Sequence, residues 1–414
     1  MAGTLNLTQF AYALKTVYDE TKMLTAVAEK NVAYARMPKN FKFGGNNFAF
    51  GVIYAPMTGR SNLFATAQAN KNPSKGKQFL LTRAHDYAVG SIDTETLLAS
   101  EGDEAALLTA MTDSADSALL ALNRSLGIRT YGNGSGKVGV IDTPSHSYTL
   151  TLDTLTDAVN FEVGQKLKFA ANEASSLRSG TLTVSAINRD AGTMTCAEYV
   201  DSVTSITDHD SIFVEGDYVT ASDRKLPVGF GGWNPSTAPA ASESFFGADR
   251  SADTVGLGGG RYTSTTNPGL STEEVIQLLA SRVNKHSPFS PDTVYMGTDR
   301  FKDFIVSVGS KAIYQKVSVP VTNAKGDVVA ELGFDSVRIH AGGSVLDCFA
   351  DRNCPEATVF VQTLNTWEFK SMGPCPRWIV EARSMESEDA VEFRAAYWGN
   401  FRCKGPSGNS RYDF

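Results

Sequence analysis

The stretch of this chain nearest in type to a reactive loop is Gly132-Asn133-Gly134-Ser135-Gly136-Lys137. Glycines that free backbone amides, followed by a lysine, are the means by which a loop cradles phosphate. The pattern fails here. Tyr131 stands where the first glycine belongs, Val138 follows the lysine, and the run follows a helical segment rather than a strand. Gly256-Leu257-Gly258-Gly259-Gly260 has no strand before it and no helix directly after it, so it reads as a flexible loop. Asp208-His209-Asp210, with Asp201 nearby, could gather a cation or stand as a solvated acidic turn. The glycine-pinned ligand spacing of a cation loop is missing, which favours the turn.

The remaining reactive residue types are scattered. His85, His146, His209, His286 and His340 fall in separate segments, without the helical pairing of a zinc site. Cys196, Cys348, Cys354, Cys375 and Cys403 are odd in number and widely spaced, with no CxxC pair. They read as small buried hydrophobes rather than as a disulfide framework. There is no Gly-x-Ser-x-Gly elbow. No catalytic, cofactor-binding or metal-binding residue is assigned, and no cofactor is expected. Lys71, Lys75 and Lys77 read as a solvated tip that could also meet acidic groups on a neighbour.

The elements that would have to position such groups are more telling. Leu107, Leu108, Met111, Ala115, Ala118, Leu119, Leu122 and Leu126 recur at helical spacing. The helix is expected to start near Glu104, with Asp103 as its N-cap, and to end at Gly127. Upstream, residues 41–90 read as a long hairpin. Phe48, Phe50 and Val52 mark one strand, Phe79, Leu81, Tyr87 and Val89 the returning one, and a polar tip lies between. Such a hairpin cannot bury both faces alone, so it needs a partner surface. Residues 7–30 read as an amphipathic helix, an arm on a neighbour or a helix docked on its own core.

Between Val138 and Ser222 the texture changes to short alternating strands: 148–152, 163–169, 181–184, 193–196 and 212–217. That spacing reads as an inserted small β-barrel or sandwich. Beyond it, Ser271-Thr272-Glu273-Glu274 is a capping box opening a helix. Thr298 is expected to cap a second one, ended by Gly309. Asn323-Ala324-Lys325-Gly326 joins two strands, and further strands follow at 336–341, 358–362, 367–370 and near Val391. The chain is therefore of the α+β class with an all-β insert.

Of the 414 residues, 42% are hydrophobic and 20% charged, and the formal net charge is −7. This is enough chain for two or three domains. An acidic balance argues against tight phosphate binding, which needs clustered Lys and Arg. No apolar run approaches a membrane span, and the N-terminus lacks the basic start and apolar core of a secretory signal. Synthesis in a cytosol is expected.

This order of parts resembles the tailed-phage major capsid proteins, whose fold is the Hong Kong 97-type capsid fold. Four stretches carry the family texture. They are Ile128-Arg129-Thr130-Tyr131-Gly132-Asn133-Gly134-Ser135-Gly136, Thr293-Val294-Tyr295-Met296-Gly297-Thr298-Asp299-Arg300-Phe301, the run from Val345 to Pro355, and Glu392-Phe393-Arg394 before Gly399. No single motif is specific. The sequence of elements carries the likeness, which covers nearly all of the chain except 138–222.

The resemblance implies an N-terminal arm at 1–40 and an extended hairpin loop at 41–90 lying over an adjacent subunit. It implies a peripheral domain with the spine helix at 91–137 and 381–406, the inserted β domain at 138–222, a mostly axial domain at 223–380, and a C-terminal tail at 407–414. The implied function is a major capsid protein that assembles into pentamers and hexamers. These would form an icosahedral head shell around double-stranded DNA, which it touches non-specifically. The implied location is the virion, after assembly in the host cytoplasm. The founding relative carries a long N-terminal scaffold segment. Here the arm begins at once, so a separate scaffolding protein and no large N-terminal cleavage are expected, with a portal and a decoration protein as further partners and no membrane. Whether a decoration protein binds is left open, and no crosslinking lysine–asparagine pair is identified. Two alternatives stand beside this reading: an encapsulin-like nanocompartment shell, and a glycan- or receptor-binding surface protein. Exposed aromatics on the insert would favour the latter, whereas Tyr148, Phe161, Phe169, Tyr199 and Phe213 sit mostly in core-like patterns.

Overall fold

Among the described residues strands outnumber helices, and alternation of apolar and polar residues marks many of them. The computed structural model describes residues 31–93, 104–218, 226–241, 243–309, 336–373, 375–384 and 389–414. The helix expected over 7–30 and the hairpin around Asn323 lie outside these residues, as does Asp103. The chain forms two units. One holds the described residues of 1–50, 78–232 and 368–402, the other those of 51–77, 233–367 and 403–414.

In the first unit, the strand Ala390–Cys403 is the axis of a five-stranded sheet. Arg377–Ser384 and Ala84–Asp93 both pair antiparallel to it, and Lys39–Asn40 pairs parallel to Trp367–Ser371. Tyr87 and Val89 therefore do not return the hairpin, as their alternation suggested. They belong to Ala84–Asp93, whose partner lies three hundred residues away in the chain, information that alternation cannot carry. The long helix spans Glu104–Tyr131. Its Ser125 hydroxyl donates to Asp86 at 2.5 Å, and Tyr397, paired opposite Asp86, lies on the same face of the sheet. The helix does not stop at Gly127. It continues one turn through buried Arg129, Thr130 and Tyr131. Burial of that turn outweighs the roughly 1 kcal/mol that glycine costs inside a helix.

Residues 137–214 fold as six antiparallel strands. Their order is Lys137–Val140, Ser211–Val214, Lys166–Ala170, Leu182–Asn188, Thr193–Cys196 and Thr149–Thr151. A bridge between Ile141 and Leu152 joins the last strand to the first. The Asp142 amide donates to Thr151 at 2.9 Å, and that of Asp153 to Val140 at 3.0 Å. The six strands thus close into a barrel. Phe161, Leu167, Phe169, Leu182, Met194 and Ile212 fill it, each fully buried.

The second unit centres on a mixed six-stranded sheet. Its order is Gly260–Thr263, Ser410–Asp413, Thr358–Gln362, Thr293–Met296, Ser344–Ala350 and Ser336–Ala341. Thr272–His286 and Thr298–Gly309 pack on it through Val275, Ile276, Leu279 and Phe304. The capping box forms as expected: Ser271 Oγ accepts from the Glu274 amide, and Glu274 accepts from the Ser271 amide. The second helix is capped otherwise. The carboxylate of Glu356 accepts from the amides of Asp299 and Arg300 at 3.2 and 3.1 Å, and from the Thr298 hydroxyl. Residues 407–414, expected as a tail, are integral. Ser410–Asp413 lies between two strands of the sheet, and Tyr412 is 1% exposed.

Candidate functional site

The exposed apolar surface of the hairpin is the candidate site, and its base is firmly built. Asn47–Ala55 pairs with Lys75–Thr82. Strand period puts Phe50 and Val52 on one face with Phe79 and Leu81, and all four are buried. The rings of Phe50 and Phe79 stack at 5.5 Å. The Arg402 guanidinium lies 4.5 Å from the Phe50 ring centre and the Lys370 ammonium 3.7 Å from that of Phe48. Arg402 is held in turn by Glu368 at 3.0 Å. Fully buried Asn400 ties the strand end: its Nδ2 donates to Thr82 O at 2.9 Å and its Oδ1 accepts from the Val228 amide at 2.8 Å.

On the opposite face, and at the tip beyond Ala55, large apolar residues face water. Ile53 is 72% exposed, Met57 76%, Leu63 63% and Phe64 82%. Phe64–Ala69 forms a short helix without a buried residue, within the region read from sequence as a polar tip. Large apolar side chains left in water at this density mark a contact surface rather than a reaction site. Lys71 and Lys75 are exposed, and Lys77 lies 3.9 Å from Asp249 of its own chain.

The chemical candidates resolve as structural joints. In 132–137, Gly134 and Gly136 adopt positive φ, and a Cβ on Gly136 would lie 2.0 Å from Asp217 O. Asn133 Oδ1 accepts from the Ser135 amide at 3.0 Å, and Arg129 pairs with Asp217 at 2.6 Å. Backbone and side chains fill the space a phosphate would need. In 256–260, the Arg261 guanidinium donates to the carbonyls of Thr254, Gly258 and Gly259, so the loop is pinned by its own chain. Asp208 and His209 are exposed, whereas Asp210 is buried against Arg178 at 2.7 Å, and Asp201 meets His146 at 2.6 Å. Among the described residues, no three His, Cys, Asp or Glu side chains converge to hold a metal. Burial pushes the Cys196 thiol up to about 11 and that of Cys375 up to about 12, so neither is a thiolate at neutral pH. All five cysteines are free.

Two features were not visible in sequence. Burial, reinforced by neighbouring Asp153 and partly offset by Lys137, raises the Asp157 carboxyl to about 6. In the barrel, Phe161, Phe169 and Phe213 are buried as expected, but Tyr148 and Tyr199 are 44% and 39% exposed and stack on each other at 4.1 Å.

No protein-family model matches the sequence, and no curated protein matches it. Solved structures do. The chain is 10% identical to the capsid chain of cyanophage A-1(L), covering 99% of this chain and 98% of that one with a TM-score of 0.54. The fold is that of a phage capsid chain. A capsid chain of the empty GTA particle (10% identity, 100% and 99% coverage, TM-score 0.46) and a chain of Mycobacterium phage Ogopogo (11%, 99% and 99%, 0.44) also match over nearly their whole lengths. No helix among the described residues is long and apolar enough to cross a membrane.

Proposed function

We propose that this chain is a major capsid protein of a tailed phage. It has the Hong Kong 97-type fold with an inserted β-barrel, and assembles into pentamers and hexamers that close around double-stranded DNA. The observation that carries the reading is the pairing of a capsid-chain fold over the full length with a hairpin that leaves Ile53, Met57, Leu63 and Phe64 in water. Subunits of a closed shell meet through repeating head-to-tail contacts, and such obligate contacts are apolar. In this reading the hairpin covers an adjacent copy, the helix Glu104–Tyr131 is the spine of the peripheral domain, and the sheet containing Ser410–Asp413 belongs to the axial domain. The role is structural rather than catalytic. A separate scaffolding protein and a portal are the partners in assembly, and the product is the virion head.

Electron microscopy of the purified chain tests this. Rings of five or six subunits and closed shells are expected. A persistent monomer at high concentration, seen by light scattering, would overturn it.

A further inference from the structure

The charge of this chain is unevenly placed. Residues 137–217 hold 12 of its 45 Asp and Glu but only 5 of its 38 Lys and Arg. That leaves 33 of each sign elsewhere, so the barrel with the three residues that leave it carries the whole net charge of −7. The strand Lys137–Val140 runs away from the point where the chain enters the barrel, and Ser211–Val214 runs back toward the exit. The connections that follow the first and precede the second, 141–148 and 197–210, therefore meet at the opposite pole. The Val200 amide donates to Ser147 O there at 2.9 Å. Neither connection contains a Lys or Arg.

At this pole three rings form a stack open to solvent. Tyr199 lies between His146 (centroids 4.5 Å apart, planes 9° apart) and Tyr148 (4.1 Å, 26°). The His146 side chain is 74% exposed. Asp201 sits beside the stack, 2.6 Å from His146, and Asp142 and Asp208 on the same connections are exposed. Stacked rings already ordered on a surface offer apolar area at small entropic cost. What such a surface receives is decided by its field. Arg178, from the connection 171–181 at the same pole, is taken up by Asp210 and Thr207, and the three exposed carboxylates repel phosphate backbones and anionic lipid alike. They attract a guanidinium, which also stacks on tyrosine faces.

We propose that this pole of the barrel docks a basic polypeptide segment, one arginine lying on the outer face of Tyr148 and the segment's other basic residues meeting the exposed carboxylates of Asp201, Asp142 and Asp208. The inference concerns the barrel alone and holds whether or not copies of the chain close into a shell.

The test is fluorescence anisotropy of a dye-labelled hexa-arginine peptide on the purified full-length chain, at low and high salt, beside hexalysine, hexaglutamate and labelled maltohexaose. Hexa-arginine is expected to bind most tightly and hexaglutamate not at all, with salt weakening the complex. Tyr148→Leu is expected to lower affinity about threefold, the range of an exposed cation–π contact, and Tyr148→Trp to keep or raise it. The double variant Asp142→Asn/Asp208→Asn, whose side chains are exposed and whose folding is therefore secure, is expected to bind more weakly. Unchanged affinity in Tyr148→Leu, equal affinity for arginine and lysine, or binding of maltohexaose in place of hexa-arginine would each overturn the proposal.

Discussion

Replacing Ile53 and Phe64 together by serine should cripple association while sparing the fold. Both side chains are mostly in water, 72% and 82% exposed, so their loss removes little from the isolated chain. Surface substitutions of this kind stay within about 0.5 kcal/mol in stability. In an assembly that covers the hairpin, the same two side chains would leave water. Fully burying an Ile or Phe is worth about 1.5–3 kcal/mol each. Scaled by what remains exposed here, the pair contributes about 3 kcal/mol per contact, roughly a hundredfold in association constant. The assay is the threshold concentration for shells, followed by sedimentation and light scattering, with circular dichroism melting as the fold control. A raised threshold with an unchanged melt is expected. An unchanged threshold would show that these residues stay in water in the assembly, and the subunit-contact reading would fail.

Three further outcomes are expected. Asp157 holds its proton more tightly in the fold than in the unfolded chain, since burial lifts its carboxyl from 3.8 to about 6. Stability from this group is therefore full below about pH 4 and falls as pH rises to about 6, by up to about 3 kcal/mol. Asp157→Asn should flatten that slope and raise stability at neutral pH in urea melts; an unchanged slope would refute it. Gly229→Ala should destabilise by about 3 kcal/mol, because its Cβ would meet Thr130 O at 2.0 Å at the end of the long helix, and calorimetry reads the loss. Glu356→Ala should cost about 1 kcal/mol through the uncapped amides of Asp299 and Arg300, seen as a lower melting temperature.

Local signals were legible and distant ones were not. The barrel strands around Leu150, Leu167, Val184 and Met194 show their alternation openly, and the box at Ser271 and Glu274 closes within four residues. Gly127 misleads because local propensity marks a stop that packing overrides. Thr298 misleads because its helix is capped by Glu356, some sixty residues on. Ser410-Arg411-Tyr412-Asp413 is too short to show a period, and its place is set by ladders to Gly260–Thr263 and Thr358–Gln362. That a hairpin this long could not bury both faces by itself was readable from its length. Which face the chain covers itself was not, since Phe50, Phe79 and Arg402 meet only in three dimensions. The stack of His146, Tyr199 and Tyr148 escaped for the same reason: two connections fifty residues apart supply it.

Joining Ile141 to Leu152 has a bearing on life at high density. An open sheet ends in a row of unpaired amides and carbonyls, a template on which a like sheet can continue. In the shell proposed above, such rims would be set close to one another at enormous local concentration, inviting strand exchange or fibre growth. Circular closure leaves no rim to extend, so these modules can crowd together and remain separate bodies.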